Sequence, residues 1–137
     1  MTIVSACLCG DNCRYDGKNS YNKEVMEFLS HREFIKLCPE VIAGLEIPRT
    51  PCEILDGKVI SIKDDDLTEK FKFGAKQVLE IAIKNKCTLA ILKDKSPSCG
   101  VNHIYDGSFK GILIDGMGFT ASLLKKNGFK VLSEKEL

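Results

Sequence analysis

IVSACLCG, Ile3 to Gly10, runs from small and apolar residues straight into a cysteine, and this junction decides how the chain folds. Ile3 to Ala6 predicts a short buried strand, because the apolar run stops at a turn-rich stretch, Gly10 to Asn19. The same junction recurs twice. Phe34 to Leu37 leads into Cys38, and Leu89 to Leu92 leads through a short loop to Cys99. If these runs are parallel strands of one sheet, the three thiols meet at its carboxyl edge, where open α/β sheets bind their ligands. Three thiolates can hold a metal or an iron-sulfur centre and still leave one position open for a substrate.

The segments between the strands read as helices. Ser20 is the expected N-cap of a helix whose Tyr21, Val25, Phe28 and Leu29 recur at helical spacing, which makes the first third a βαβ unit. Pro39, Pro48 and Pro51 predict an irregular stretch, and Glu53 to Ile62 a hairpin about Asp56-Gly57. A long helix is expected from Asp65 to Asn85, since Leu67, Phe71, Ala75, Val78, Leu79 and Ala82 share one face. It delivers the chain to a strand at Thr88 to Leu92. Asn102 to Gly111 reads as an irregular excursion, Phe119 to Lys126 as a helix stopped by Asn127-Gly128, and Phe129 to Leu132 as the last strand. Alternating strands and helices imply an α/β fold, with a mainly parallel, Rossmann-like sheet and helices on both faces. Strand order is not set by the sequence.

The 137 residues suit one domain, 1–137, with a single core. Charged residues make up 28% of them and the net charge is +1, so no overall field favours nucleic acid or an anionic membrane. No stable nucleic-acid complex is expected. No apolar run approaches the roughly 20 residues of a membrane helix, and the start lacks a secretory pattern, so a cytoplasmic protein is expected. In that reducing compartment seven cysteines read as thiols or metal ligands rather than disulfides. There is no CxxC pair, and Cys7, Cys9 and Cys13 form C-x-C-x3-C, which matches no common cluster motif. A zinc-binding structural module and a thiol redox protein stay open as alternatives.

Chemistry concentrates in three loops: SACLCGDNCRYDG (Ser5 to Gly17), CPEVIAGLEIPRTPCE (Cys38 to Glu53) and SPSCG (Ser96 to Gly100). With LKDKSPSCGVNHIYDGSFKG (Leu92 to Gly111) and GMGFTASLLKKNGFKVLSE (Gly116 to Glu134), these segments follow one another as the motifs of a known family do. The chain resembles the bacterial thiouracil desulfidases over nearly its whole length. That resemblance implies a [4Fe-4S] cluster held by Cys7, Cys38 and Cys99, the cysteines that also stand at the strand ends. It implies Glu40 and Ser96 as the catalytic pair. The implied substrate is a small thiolated pyrimidine, 2- or 4-thiouracil or its nucleoside. Its sulfur would bind the open iron, and the products would be the oxo base and sulfide.

Plainer roles stand beside these. Glu40 can cap a helix that starts after Pro39, and Ser96 and Ser98 can close the turn around Pro97. Ser98, Arg14 and Arg49 are candidate substrate contacts, although an arginine can equally tie two loops through carboxylates. Cys87 reads as core, and Cys13 and Cys52 as packing groups. Gly100 is expected to supply a positive φ, and His103 to be structural or solvated. Tyr15-Asp16-Gly17 and Tyr105-Asp106-Gly107 read as bracing turns. Gly116 and Gly118, just ahead of a helix, are a weak candidate phosphate cradle.

Overall fold

The computed structural model describes residues 1–137. Four parallel strands form the main sheet: β1 (Thr2–Ser5), β2 (Phe34–Leu37), β5 (Leu89–Leu92) and β8 (Lys130–Ser133), in the order β2-β1-β5-β8. Two small antiparallel hairpins flank it, β3 (Cys52–Leu55) with β4 (Lys58–Ser61) and β6 (His103–Tyr105) with β7 (Leu113–Asp115). The helices are α1 (Lys23–Leu29), α2 (Pro39–Ile42), α3 (Thr68–Lys84) and α4 (Phe119–Lys126). No helix is long and apolar enough to cross a membrane.

Alternation along the strands builds a core on each face of the sheet. Ile3, Ala90 and Leu92 pack with Val78 and Ala82 of α3 and Ala121 and Leu124 of α4. Their neighbours Val4 and Ile91 point the other way, against Leu8 and against Val25 and Leu29 of α1. Ile3, Val4, Val78, Ile91, Leu92 and Leu124 are all 0% exposed, and each such side chain contributes about 1.5–3 kcal/mol by its burial. Helices therefore cover both faces, as expected. From β1 the chain crosses to β2 through α1, and from β2 it returns past β1 to β5. The order thus reverses between β1 and β5, the place where such sheets open a crevice.

Three local expectations are corrected. α1 begins at Lys23, and its N-cap is Asn22, whose side chain accepts the Val25 N–H at 3.0 Å. Ser20 instead accepts a hydrogen bond from Arg14, and Tyr21 is 59% exposed rather than packed. α3 starts at Thr68 because Asp66 takes both the backbone N–H and the hydroxyl of Thr68, which turns the preceding acidic residues into a loop. The stretch from Asn102 is partly ordered, since His103–Tyr105 pairs with Leu113–Asp115. The other elements fall within a residue or two of where the pattern puts them, and Phe119–Lys126 coincides.

α3 lies hard against α2 at Gly74, where a Cβ would collide with the Pro39 carbonyl oxygen and come within 3.3 Å of the Ala43 Cβ. Gly74→Ala should therefore destabilise the fold. The helix-propensity gain of about 1 kcal/mol is smaller than the overpacking cost of about 1–3 kcal/mol. A lower urea midpoint with an unchanged m-value is the expected result, and an equal or higher midpoint would contradict the packing.

Candidate active site

Because β1, β2 and β5 are parallel and paired in register, their carboxyl ends finish side by side, with Ser5 opposite Leu37 and Val4 opposite Ile91. The residues just beyond these strands therefore share one edge. After β1 comes a single 3-10 turn, Ala6–Cys9, carrying Cys7. After β2 comes Cys38, the N-cap of α2, with Pro39 at its first position. After β5 comes the SPSCG loop with Cys99. Cys7, Cys38 and Cys99 all line one cavity of about 420 Å³, a size usual for small-molecule sites. Glu40, Ser96, Ser98, Arg14 and Arg49 line it too.

The cavity holds two more thiols than expected, Cys13 and Cys52. The free thiol of Cys13 is a hydrogen-bond neighbour of Cys38 and Cys7. The first bond pulls its pKa down, but the second, together with burial, pushes the thiol up to about 11. Cys38 is raised further, by its bond with Cys13 and then by burial. Burial pushes Cys99 up to about 12, and burial with the Glu40 charge takes Cys52 to about 11. Crowding and desolvation thus oppose charge at these thiols, and a cationic centre would reverse that balance. Cys9 is not part of the lining and packs beside Val4 and Leu8. Cys87 is 6% exposed in the α3 and α4 core, as expected.

Glu40 is fixed at both oxygens. Arg49 Nε donates to Oε1 at 3.0 Å and the Ser98 hydroxyl donates to Oε2 at 2.7 Å. Arg49 and Glu40 are 9% and 14% exposed, so the pair is largely desolvated, and Arg49 Nη2 also donates to the Cys13 carbonyl at 2.8 Å. Arg49 thus ties the Cys38–Glu53 loop to the Ser5–Gly17 loop through Cys13, and Glu40 carries the link on to Ser98 of the third loop. Ser98 Oγ lies 3.1 Å from Ser96 Oγ, which itself accepts the Ser98 and Cys99 N–H groups at 3.1 and 2.8 Å. Arg14 is held by Asp16 and Ser20.

Sequence reasoning missed what holds the SPSCG loop. Asp94, 3% exposed, accepts at Oδ1 the N–H groups of Lys95, Val101, Asn102 and His103 at 2.9–3.0 Å. Its Oδ2 meets His103 Nδ1 at 3.0 Å, and its own N–H donates to Glu134 Oε1 at 2.9 Å. Glu134 in turn pairs with Lys93 at 3.2 Å. One carboxylate therefore closes residues 95–103 into a ring around Ser96 and Cys99. An aspartate just past a strand and ahead of Ser-Pro-Ser is a turn-forming signal that would have pointed to it.

The fourth wall of that loop is α4. Phe119 N–H donates to the Pro97 carbonyl, and the Thr120 and Ala121 N–H groups both donate to that of Ser98. The helix start is thereby spent on the loop, so Gly116 and Gly118 do not cradle a phosphate. Gly118 is glycine because a Cβ would sit 2.5 Å from the Ser98 carbonyl. Gly100 corrects another expectation: its φ is not positive, and what excludes a side chain there is the Ser96 and His103 carbonyl oxygens, 2.7 Å from any Cβ. The two Tyr-Asp-Gly tripeptides are matching turns, in which Asp16 and Asp106 accept the N–H of Lys18 and Ser108.

Comparison with known proteins agrees with this architecture. The family model 2-thiouracil desulfurase matches residues 2–136. The uncharacterised protein YbbK of Bacillus subtilis (strain 168) is 37% identical over 147 residues, covering 100% of this chain and 97% of its own. A solved structure described as the [4Fe-4S]-dependent thiouracil desulfidase TudS superposes with a TM-score of 0.94 at 37% identity, over 99% of this chain and 91% of that one.

The Asp94 ring makes a prediction about acid. Burial opposes its ionisation, but the His103 N–H and ring and the Asn102 and Val101 N–H groups outweigh this and hold its pKa well below the carboxylate range. A depressed carboxylate stabilises the fold above its unfolded pKa of about 3.9, and the contribution is lost as pH falls below that value. Asp94→Asn should lose roughly 2–3 kcal/mol at pH 7 and show a shallower decline of stability below about pH 4. Urea melts at both pH values check it, and parallel acid limbs for the two proteins would refute the assignment.

Proposed function

The chain belongs to the 2-thiouracil desulfurase family, and from that premise we propose that the cavity at the carboxyl edge of β1, β2 and β5 removes sulfur from a small thiolated pyrimidine. The protein is a [4Fe-4S]-dependent thiouracil desulfidase, as its family and close structural relative indicate. The observation that carries the site assignment is that three thiols and a hydrogen-bonded carboxylate-serine line face the same space. A zinc module or a dithiol redox site would account for the thiols and leave Glu40 and Ser96 without a purpose.

Cys7, Cys38 and Cys99 would hold the cluster, and the donor set fits it. They are soft thiols on three separate segments that cannot crowd into a closed local motif, and they open onto a cavity with room for a ligand beside them. Bound there, the cluster supplies a Lewis-acidic iron with an open position suited to a thiocarbonyl sulfur. Cys38 and Cys99 carry raised pKa values, so deprotonating them makes cluster uptake release protons.

The protein's own groups handle the water and the protons. Glu40, held in place by Arg49, takes a proton from a water aimed at the thiocarbonyl carbon, since a positioned carboxylate within hydrogen-bond reach is what general-base catalysis requires. Ser96 gives a proton to the departing sulfur or the adjacent ring nitrogen. Arg14, which lines the cavity, would meet a polar edge of the base. Overall, water and a thiocarbonyl become a carbonyl and hydrogen sulfide, with no electrons consumed. The largely buried arginine-carboxylate pair fixes the direction of Glu40.

Two outcomes test this assignment. Alanine in place of Cys7, Cys38 or Cys99 should abolish iron and labile sulfide after anaerobic reconstitution, whereas Cys87→Ala should load fully. A complete cluster in the Cys38 variant would remove it from the ligand set. Glu40→Gln should retain iron and absorption but lose about 100-fold or more in turnover of 2-thiouracil to uracil. Undiminished sulfide release from that variant would remove Glu40 as the base.

A further inference from the structure

Building on the desulfidase reading, we propose that the Ser98 hydroxyl is a proton relay, passing a proton to Ser96 as it receives the one that Glu40 takes from water. Ser98 is 2% exposed, and its oxygen lies 2.7 Å from Glu40 Oε2 and 3.1 Å from Ser96 Oγ, so it physically joins base to acid.

Counting donors and acceptors orients the line. A serine hydroxyl has one proton and two acceptor sites. Ser96 Oγ already accepts two N–H groups, from Ser98 and Cys99, so its own proton must be donated, and Ser98 Oγ is the hydroxyl within reach. The Ser98 proton then points to Glu40 Oε2, a carboxylate oxygen that can only accept while ionised. The Cys99 sulfur, at 3.7 Å, is a more distant competitor. At rest both serine protons therefore point toward Glu40.

Protonation of Glu40 reverses the line. Arg49 Nε donates to Oε1, so the proton taken from water settles on Oε2, the oxygen facing Ser98. Oε2–H then donates to Ser98 Oγ, and as the Ser96 proton passes to the leaving group the site it vacates on Ser96 Oγ takes the Ser98 proton. Each serine gives up one proton and gains one, Glu40 ends as a carboxylate, the product carries the former Ser96 proton, and the proton that began on water ends on Ser98. The carboxylate thus needs no contact with the leaving group. Ser98 acts through its neighbours and is a positioning residue rather than one that meets the substrate.

The test is the single-turnover rate of 2-thiouracil to uracil by cluster-loaded enzyme in mixtures of light and heavy water, with iron, sulfide and absorption measured on each protein. Several protons in flight should bow the wild-type plot of rate against deuterium fraction. Ser98→Ala should keep the cluster and the substrate concentration for half-maximal rate, lose roughly 10- to 100-fold in the single-turnover rate and in steady-state kcat, and straighten the plot, and Ser98→Thr should restore both rate and curvature. A straight wild-type plot overturns the relay without recourse to any variant, as does an unchanged kcat in Ser98→Ala. If the loaded wild-type protein forms no uracil, the desulfidase reading itself fails, and the relay with it.

Discussion

Everything at the site depends on three parallel strands ending level with one another. Pairing of Ser5 with Leu37 and of Val4 with Ile91 means that the residues just beyond β1, β2 and β5 emerge onto one edge. A slip of one residue would turn each strand's core side chains to the wrong face, so burial of Ile3 and Val4 on opposite sides enforces the register. The core on the two faces therefore specifies where the cysteines stand, and Cys99 is itself part of it. Cys38 shows the economy of this arrangement, as it is both the exit of β2 and the entry to α2, which sets Glu40 two residues away.

Around that edge the polar groups are matched almost one for one. Arg49 fills one oxygen of Glu40 and Ser98 the other, while a single oxygen of Asp94 gathers four amides. Desolvated charges are costly unless fully partnered, and here each partner also fixes the direction of the next. The thiols are the exception. Burial and their mutual proximity disfavour charge on Cys38 and Cys99, so the thiols are the part of the site that a positively charged cofactor would complete.

Legibility in the sequence followed the range of the interaction. Strands at Ile3, Phe34 and Leu89 and the helix at Phe119 were readable because their apolar spacing is local, and the cysteines were readable because each stands just beyond such a run. The β6–β7 pairing escaped because its strands are three residues long and Leu113 and Ile114 are exposed, leaving no buried alternation to detect. Strand order escaped because nothing within one segment encodes its neighbour. Glu40 and Ser96 were nominated by motif resemblance, but their connection through Ser98 spans 58 residues, and the clasp from Asp94 to His103 spans nine. Such contacts exist only once the backbone has already been placed.

The loop that carries Cys99 is stapled by Asp94, by Ser96 Oγ and by the first amides of α4, all of them groups belonging to the polypeptide. Its shape therefore does not wait for iron. Zinc fingers fold around their metal, whereas here hydrogen bonds of the chain's own groups shape the receptacle.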